Sequence, residues 1–335
     1  MKGYKGFNPG LVCKDKQYQE NTVFEEPEAK ICEKGMHFCK NPFDVLDYYD
    51  LIRSDGTPNE FTEVEAMDEP KTDDKKKFCS RKLKIGVKLG LSGFIKACVD
   101  FVLEKTINEM PSANVASGGS ARIGSTGDYA QIGSSGDYAQ IGSSGNYAQI
   151  GSSGDSARIG SSGYYAQIGS SGDSAQIGSS GYYAQIGSSG NYAQIGSSGD
   201  SARIGSTGDY AQIGSSGDSA RIGSSGYSAR IGSSGDSARI GSSGDSARIG
   251  SSGYYARIDC AGEDSVVCCA GHGSVVKASV GCWITLAEWR YDAQKSRAVP
   301  VCVKTEYVDG EKIKADTPYM LKNGEFVEVE SNGRN

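Results

Sequence analysis

The residues best suited to chemistry are ten cysteines and two histidines, and each histidine lies close to cysteines. Cys32-x4-His37-x-Cys39, with Cys13 upstream, supplies the residue types of a Cys3His zinc site. Thiolates and a neutral imidazole are the ligands that tetrahedral zinc takes. The usual two-residue spacing between paired cysteines is missing, so a cluster of buried cysteines with His37 held by the backbone is the competing reading. A Cys-His nucleophilic pair is a third. Zinc is the one cofactor these residues suggest. Near the other end, Cys260, Cys268 and Cys269 accompany His272. Cys260 and Cys269 are nine residues apart, which lets them occupy equivalent repeat positions and face one another, with structural burial as the alternative.

That nine-residue interval belongs to the element that positions everything else. From Gly124 to Ile258 the unit Gly-Ser-Ser/Thr-Gly-x-x-Ala-x-Ile occurs fifteen times without insertion or deletion. A partial copy precedes it at Ser117–Ile123, and two degraded copies follow at Asp259–Val267 and Cys268–Val276. A fixed short period over this length predicts a stack of units, none of which can hold a core alone. The alternation in x-Ala-x-Ile predicts a short strand with Ala and Ile inward and positions six and eight outward. Gly-Ser-Ser-Gly predicts the corner. One nonamer is too short to close around a core, so two repeats per coil are expected, giving a thin β-solenoid whose coils stack at about 4.8 Å. A helix is disfavoured by four Gly/Ser positions in nine. A flexible linker would have no reason to keep the Ala-x-Ile register.

The unit resembles the calcium-binding nonapeptide, but its acidic residue comes one place early. Tyr164, Tyr182, Tyr227 and Tyr254 replace it and supply no carboxylate. The variable outward positions are the candidate binding face. Tyr129, Tyr138, Tyr147, Tyr165, Tyr183 and Tyr192 are expected to form tyrosine ladders on one half of the rod. Arg203, Arg221, Arg230, Arg239, Arg248 and Arg257 are expected to form an arginine ladder on the other, chequered with Asp200, Asp218, Asp236 and Asp245. Tyr and Arg are common anchors of binding surfaces, while a self-compensating soluble surface is the bland alternative.

The flanks read differently. Residues 1–110 form an α+β domain, with strands over Phe61–Met67 and Arg81–Leu89, a short helix over Asn41–Asp50 and a charged turn at Asp73–Lys77. A helix from Ser92, its candidate N-cap, to Glu109 is apolar on more than one face and should be buried on two sides. It is expected to lie across the first coil and seal the rod, which spans 111–276. Val266, Val267, Val275 and Val276 suggest burial on both faces where the rod ends. Residues 277–335 then form a small antiparallel β cap, with strands over Gly281–Tyr291 and Val299–Val308 and tight turns at Asp309-Gly310 and Asn323-Gly324. Ser331–Asn335 should fray. The fold class is therefore mainly β: a β-solenoid with an α+β N-terminal domain and an antiparallel C-terminal cap.

Gly3-Tyr4-Lys5-Gly6-Phe7, Cys13, Gln17-Tyr18, Cys32–Cys39 and Pro42–Tyr49 resemble the N-terminal domain of an uncharacterised family found in phages and bacterial prophages. Its members carry similar Gly/Ser/Thr repeats and tails similar to Val308–Thr317. The resemblance implies a phage or mobile-element origin and transfers no activity.

Net charge is −6, yet the fifteen repeats hold nine Asp against seven Arg, so nucleic acid is not indicated as a partner. No apolar run approaches membrane length and no signal-peptide core follows the N-terminus, so no membrane partner is expected. Sparse cysteines point to a reducing, cytoplasmic setting, that of a host cell if the gene is phage-borne, with virion association as a further option. The leading functional reading is a non-enzymatic interaction protein that presents a rigid repeat surface to a protein or other macromolecule, a virion or host factor such as a defence component. An ice- or lattice-binding solenoid is one alternative. An enzyme or zinc-binding module in the N-terminal domain is another, although no known nucleophile or phosphate-loop motif is present.

Overall fold

The structure, a computed structural model, describes residues 1–31, 33–53, 57–103 and 114–329. Cys32, the expected helical residues 104–109 and the tail 331–335 lie outside them. The architecture is a β-solenoid in which each rod strand pairs in parallel with the strand 18 residues on, as in Gln131↔Gln149 and Ile132↔Ile150. Two nonapeptides therefore make one coil, and alternate repeats, each set extended by two C-terminal strands, build two opposed sheets of 12 and 11 strands.

The strand is Gln/Arg-Ile-Gly-Ser, positions eight, nine, one and two, so the expected x-Ala-x-Ile register moves along the unit. Ala still points inward, from just before the strand, and the Ile and Ala side chains are buried throughout the central coils. The first Ser of each pair is buried beside them, so the core holds Ala, Ile and Ser. The corner is Ser-Gly-x-x. Position six, not a glycine, adopts the left-handed conformation there, with φ between 53° and 58° from Tyr129 to Tyr255. A bulky residue at such a φ is costly. Stacking holds it: the Tyr129 N–H donates to the Asn146 carbonyl of the next coil at 2.8 Å, and Ser201 does the same to Asp218 at 2.7 Å.

Position-four glycines do a different job. A Cβ on Gly199 would collide with the carbonyl oxygen of Gly181 one coil back, and the same holds along the row. Coils stack this closely because that position carries no side chain. Position five adds a second ladder. The Asp128 carboxylate accepts the Asn146 N–H at 2.7 Å, and the Asn146 amide oxygen accepts the Tyr164 N–H at 2.9 Å.

The N-terminal region is a seven-stranded antiparallel sheet ordered Val23–Glu25, Lys82–Leu89, Glu60–Ala66, Lys2–Phe7, Met36–Cys39, Lys77–Ser80, Lys71–Thr72. Helix α1 is shorter than expected, Pro42–Val45, and starts at an Asn41 cap that accepts the Phe43 N–H at 3.0 Å. Helix α2, Leu91–Leu103, begins one residue before the expected cap Ser92. It is buried on two sides. Phe94 stacks on Phe61 at 3.8 Å and, with Cys98, packs into the N-terminal domain, while Ile95 and Val99 face the rod.

Here the structure corrects the expected geometry: α2 lies along the side of the rod, not across its first coil. It packs on strands from Gln149–Ser152 to Arg221–Ser224 of the 12-stranded sheet. The reason is position one. Its glycines point outward and leave a flat trough, so Val99 and Ile95 approach Gly187 and Gly205 to distances at which an added Cβ would sit 3.3 Å and 2.5 Å from them. Thirteen helical residues span about 20 Å, which matches the roughly 19 Å across five strands.

At the far end the parallel ladders stop against antiparallel pairs. Val275–Ala278 meets Tyr319–Lys322 of the hairpin completed by Glu325–Glu328, whose turn is Asn323-Gly324 with φ of 53° and 73°. Trp283–Asp292 continues the other sheet and pairs with Arg297–Tyr307. Val267 and Val276 are buried, but Val266 is 49% exposed. The valine pairs thus follow the out-in alternation of the repeat and are not buried on both faces.

Candidate binding surfaces

An 18-residue coil sends residues nine apart to opposite sides, which divides both expected ladders. Tyr129, Tyr147, Tyr165 and Tyr183 stack along one corner with ring centroids 4.9, 5.0 and 4.9 Å apart and planes within 7° of parallel. Tyr192 stacks on Tyr210 at 5.1 Å along the opposite corner, which Tyr138 shares at a distance of several coils. All of these rings are exposed, from 41% at Tyr147 to 70% at Tyr129. Because each ring face covers the next, the column offers its edges and hydroxyls outward. These tyrosines stand on corners and not, as expected, on the strand face.

The arginines divide likewise. Arg203, Arg221, Arg239 and Arg257 follow one another on the sheet that carries α2. Asp50 lies 3.7 Å from Arg203, 3.1 Å from Arg221 and 3.9 Å from Arg239, and Asp47 lies 3.4 Å from Arg203. Burial lowers the Arg221 pKa, opposed by Asp50. These three guanidiniums fasten the N-terminal domain to the rod. Arg230 and Arg248 are exposed on the opposite sheet and form no ion pair among the described residues. The aspartates expected to chequer an arginine ladder, Asp200, Asp218 and Asp236 among them, instead hold backbone N–H groups through the corner.

Of the expected zinc ligands, Cys13, His37 and Cys39 are described and line one cavity of the N-terminal domain. No three His, Cys, Asp or Glu side chains among the described residues are grouped to hold a metal. What occupies the centre is a lysine. The buried Lys5 ammonium donates to the His37 carbonyl at 2.8 Å and to Cys13 Sγ at 3.5 Å, and lies over the Phe7 and Tyr18 rings. Tyr49 donates its hydroxyl to Cys13 Sγ at 3.1 Å. The three described members of the proposed Cys3His set thus share their cavity with the protein's own Lys5, whose pKa burial lowers and Cys13 raises. Burial, aided by Lys5, Lys77 and Lys14, draws the His37 pKa down to about 4, and burial with Asp44 nearby pushes the Cys39 thiol up to about 12. Lys5 was the residue missed here; only its place between Tyr4 and Phe7 on an inward strand face hinted at burial.

In the C-terminal coils Cys268 is exposed, while Cys260 and Cys269 are buried. Cys260 and Cys269 occupy equivalent repeat positions on the two sheets, as their spacing predicts, while the Cys260 and Cys282 thiols both donate to the Gly262 carbonyl, at 3.9 Å and 3.2 Å; the interaction between these two thiols pulls the Cys282 thiol down and pushes Cys260 up. Cys282 takes the inward Ala place in a copy one residue short, which nine-residue counting passes over.

Residues 1–97 match the family model described as Domain of unknown function (DUF7666). No curated protein and no solved structure matches the chain.

Proposed function

We propose that the chain is a non-enzymatic interaction protein of phage or mobile-element origin, whose rod presents side chains to a macromolecular partner in the virion or in the host cytoplasm. A host defence component is one such partner. The observation that carries this reading is the exposed column Tyr129–Tyr147–Tyr165–Tyr183, held in register by the coil spacing. Rigid aromatic rings with a polar tip give contact area at low entropic cost, and the backbone ladder has already fixed their positions. The repeat supplies its own test substitution, since Ser201 and Ser219 continue the same corner with the same backbone conformation. Changing the four tyrosines to serine should leave the melt unchanged and abolish capture of the partner from host lysate by the full chain. Capture of the same protein at undiminished yield would overturn the reading.

A further inference from the structure

The two sheets repeat the same sequence, yet among the described residues only one is covered. Gly187, Gly205 and Gly223 of the 12-stranded sheet lie under Val99, Ile95 and Leu91 of α2. On the 11-stranded sheet the corresponding row, from Gly124 to Gly250, has nothing among the described residues within 4 Å of where a Cβ would stand. The floor there is Ile and Gly, and one wall is the row of outward Gln and Arg side chains. Eight glycines at strand spacing give a trough of roughly 34 Å, long enough for a helix of about 22 residues.

Two further features say what fits it. The first is charge. On the covered sheet the carboxylate of Asp50 meets the arginine wall close to the N-terminal end of α2. At the matching height of the open sheet Arg230 and Arg248 stand exposed. The second is an apolar end. The outward row runs Arg230, Arg248, Val266, Trp283, Tyr307 by strand pairing. Trp283 packs on Tyr307 at 5.1 Å, and both remain exposed beside Val266. Monomer surfaces seldom leave aromatic and aliphatic groups clustered in this way without a partner.

We propose that the open sheet is a docking trough for an aliphatic helix of a second protein, with carboxylates at the helix N-terminus, seated as α2 is seated on the opposite sheet. Side chains four residues apart drop onto the glycine row, the acidic end meets Arg230 and Arg248, and the flanking residues reach Trp283. This deepens the reading of the chain as an interaction protein but uses a surface separate from the tyrosine column.

The probe is a fluorescent peptide of three aspartates followed by the α2 sequence Leu91–Leu103, held helical by a lactam between the side chains of Lys96 and Asp100, which already pair at 2.8 Å. It is titrated under reducing conditions into the full chain. Saturable one-to-one binding is expected. Gly196→Leu with Gly214→Leu should weaken it at least tenfold, and Arg230→Glu with Arg248→Glu, which leaves the core untouched, should weaken it at least threefold at low salt. The tyrosine-to-serine variant should bind the peptide normally, so the two readings fail separately. No saturable binding, or binding undiminished in both trough variants, overturns the proposal. So does self-association of the chain that the leucine variants abolish while the peptide does not bind, because the occupant would then be a second copy.

Discussion

Two glycines three residues apart in every unit look interchangeable in the sequence and are held by different forces. The position-four glycine sits where consecutive coils touch, and the position-one glycine points into open space or under α2 and Ile52. Gly199→Ala should therefore cost about 2–3 kcal/mol, because backbone must move to admit one methyl group. Gly196→Ala, on the open sheet, should stay within about 0.5 kcal/mol of the parent. Thermal or denaturant midpoints of the two variants decide the matter, and equal losses would refute the assignment. Periodicity alone disclosed that both positions were fixed, and it disclosed the inward Ala and Ile. It did not disclose which residue turns the corner, because Tyr and Ser are poor candidates for a left-handed φ until the neighbouring coil is there to hold them. Nor did it separate the roles of Asp at position five, where a carboxylate serves the backbone rather than an arginine.

At the level of elements, α2 and the short connection that carries Asp50 behave as one clamp. The apolar two-sidedness of the helix was legible, since Phe94 and Cys98 alternate with Ile95 and Val99. Its seat was not, because the glycine row that receives it is repeated identically on the other sheet. On the side it takes, Asp47 and Asp50 meet the arginines, and nothing in their local sequence points to residues more than 150 positions away. Asp50→Asn should leave half-buried Arg221 without its nearest carboxylate and cost about 1–2 kcal/mol at low salt, discounted for partial exposure. The expected signature is faster amide exchange in α2 with unchanged protection in the rod strands. Uniform protection in both would show that the ion cluster contributes nothing to docking. The sequence did not place Lys5 beside Cys13 and His37, since its burial depends on three strands that are distant in sequence.

For the molecule as a whole, the repeat is nine residues long and the coil, as the shortness of the repeat predicts, is eighteen. That doubling turns two expected ladders into separate columns, and of the six expected arginines it places Arg203, Arg221 and Arg239 beneath the N-terminal domain and Arg230 and Arg248 in solvent. A chain shortened by two repeats should keep every face and lose one coil, about 4.8 Å of length, with little change in its melt. A chain shortened by one should bring the C-terminal hairpins onto the wrong sides, melt at least 10 °C lower and bind a dye for exposed apolar surface. Small-angle scattering and melting curves of the two deletions test this directly, and indistinguishable behaviour would sink it. A gene of this kind can lengthen or shrink by replication slippage, yet the protein hears only even steps. An odd step exchanges left for right along the remaining rod, so the tolerated sizes of its descendants form a parity-restricted series.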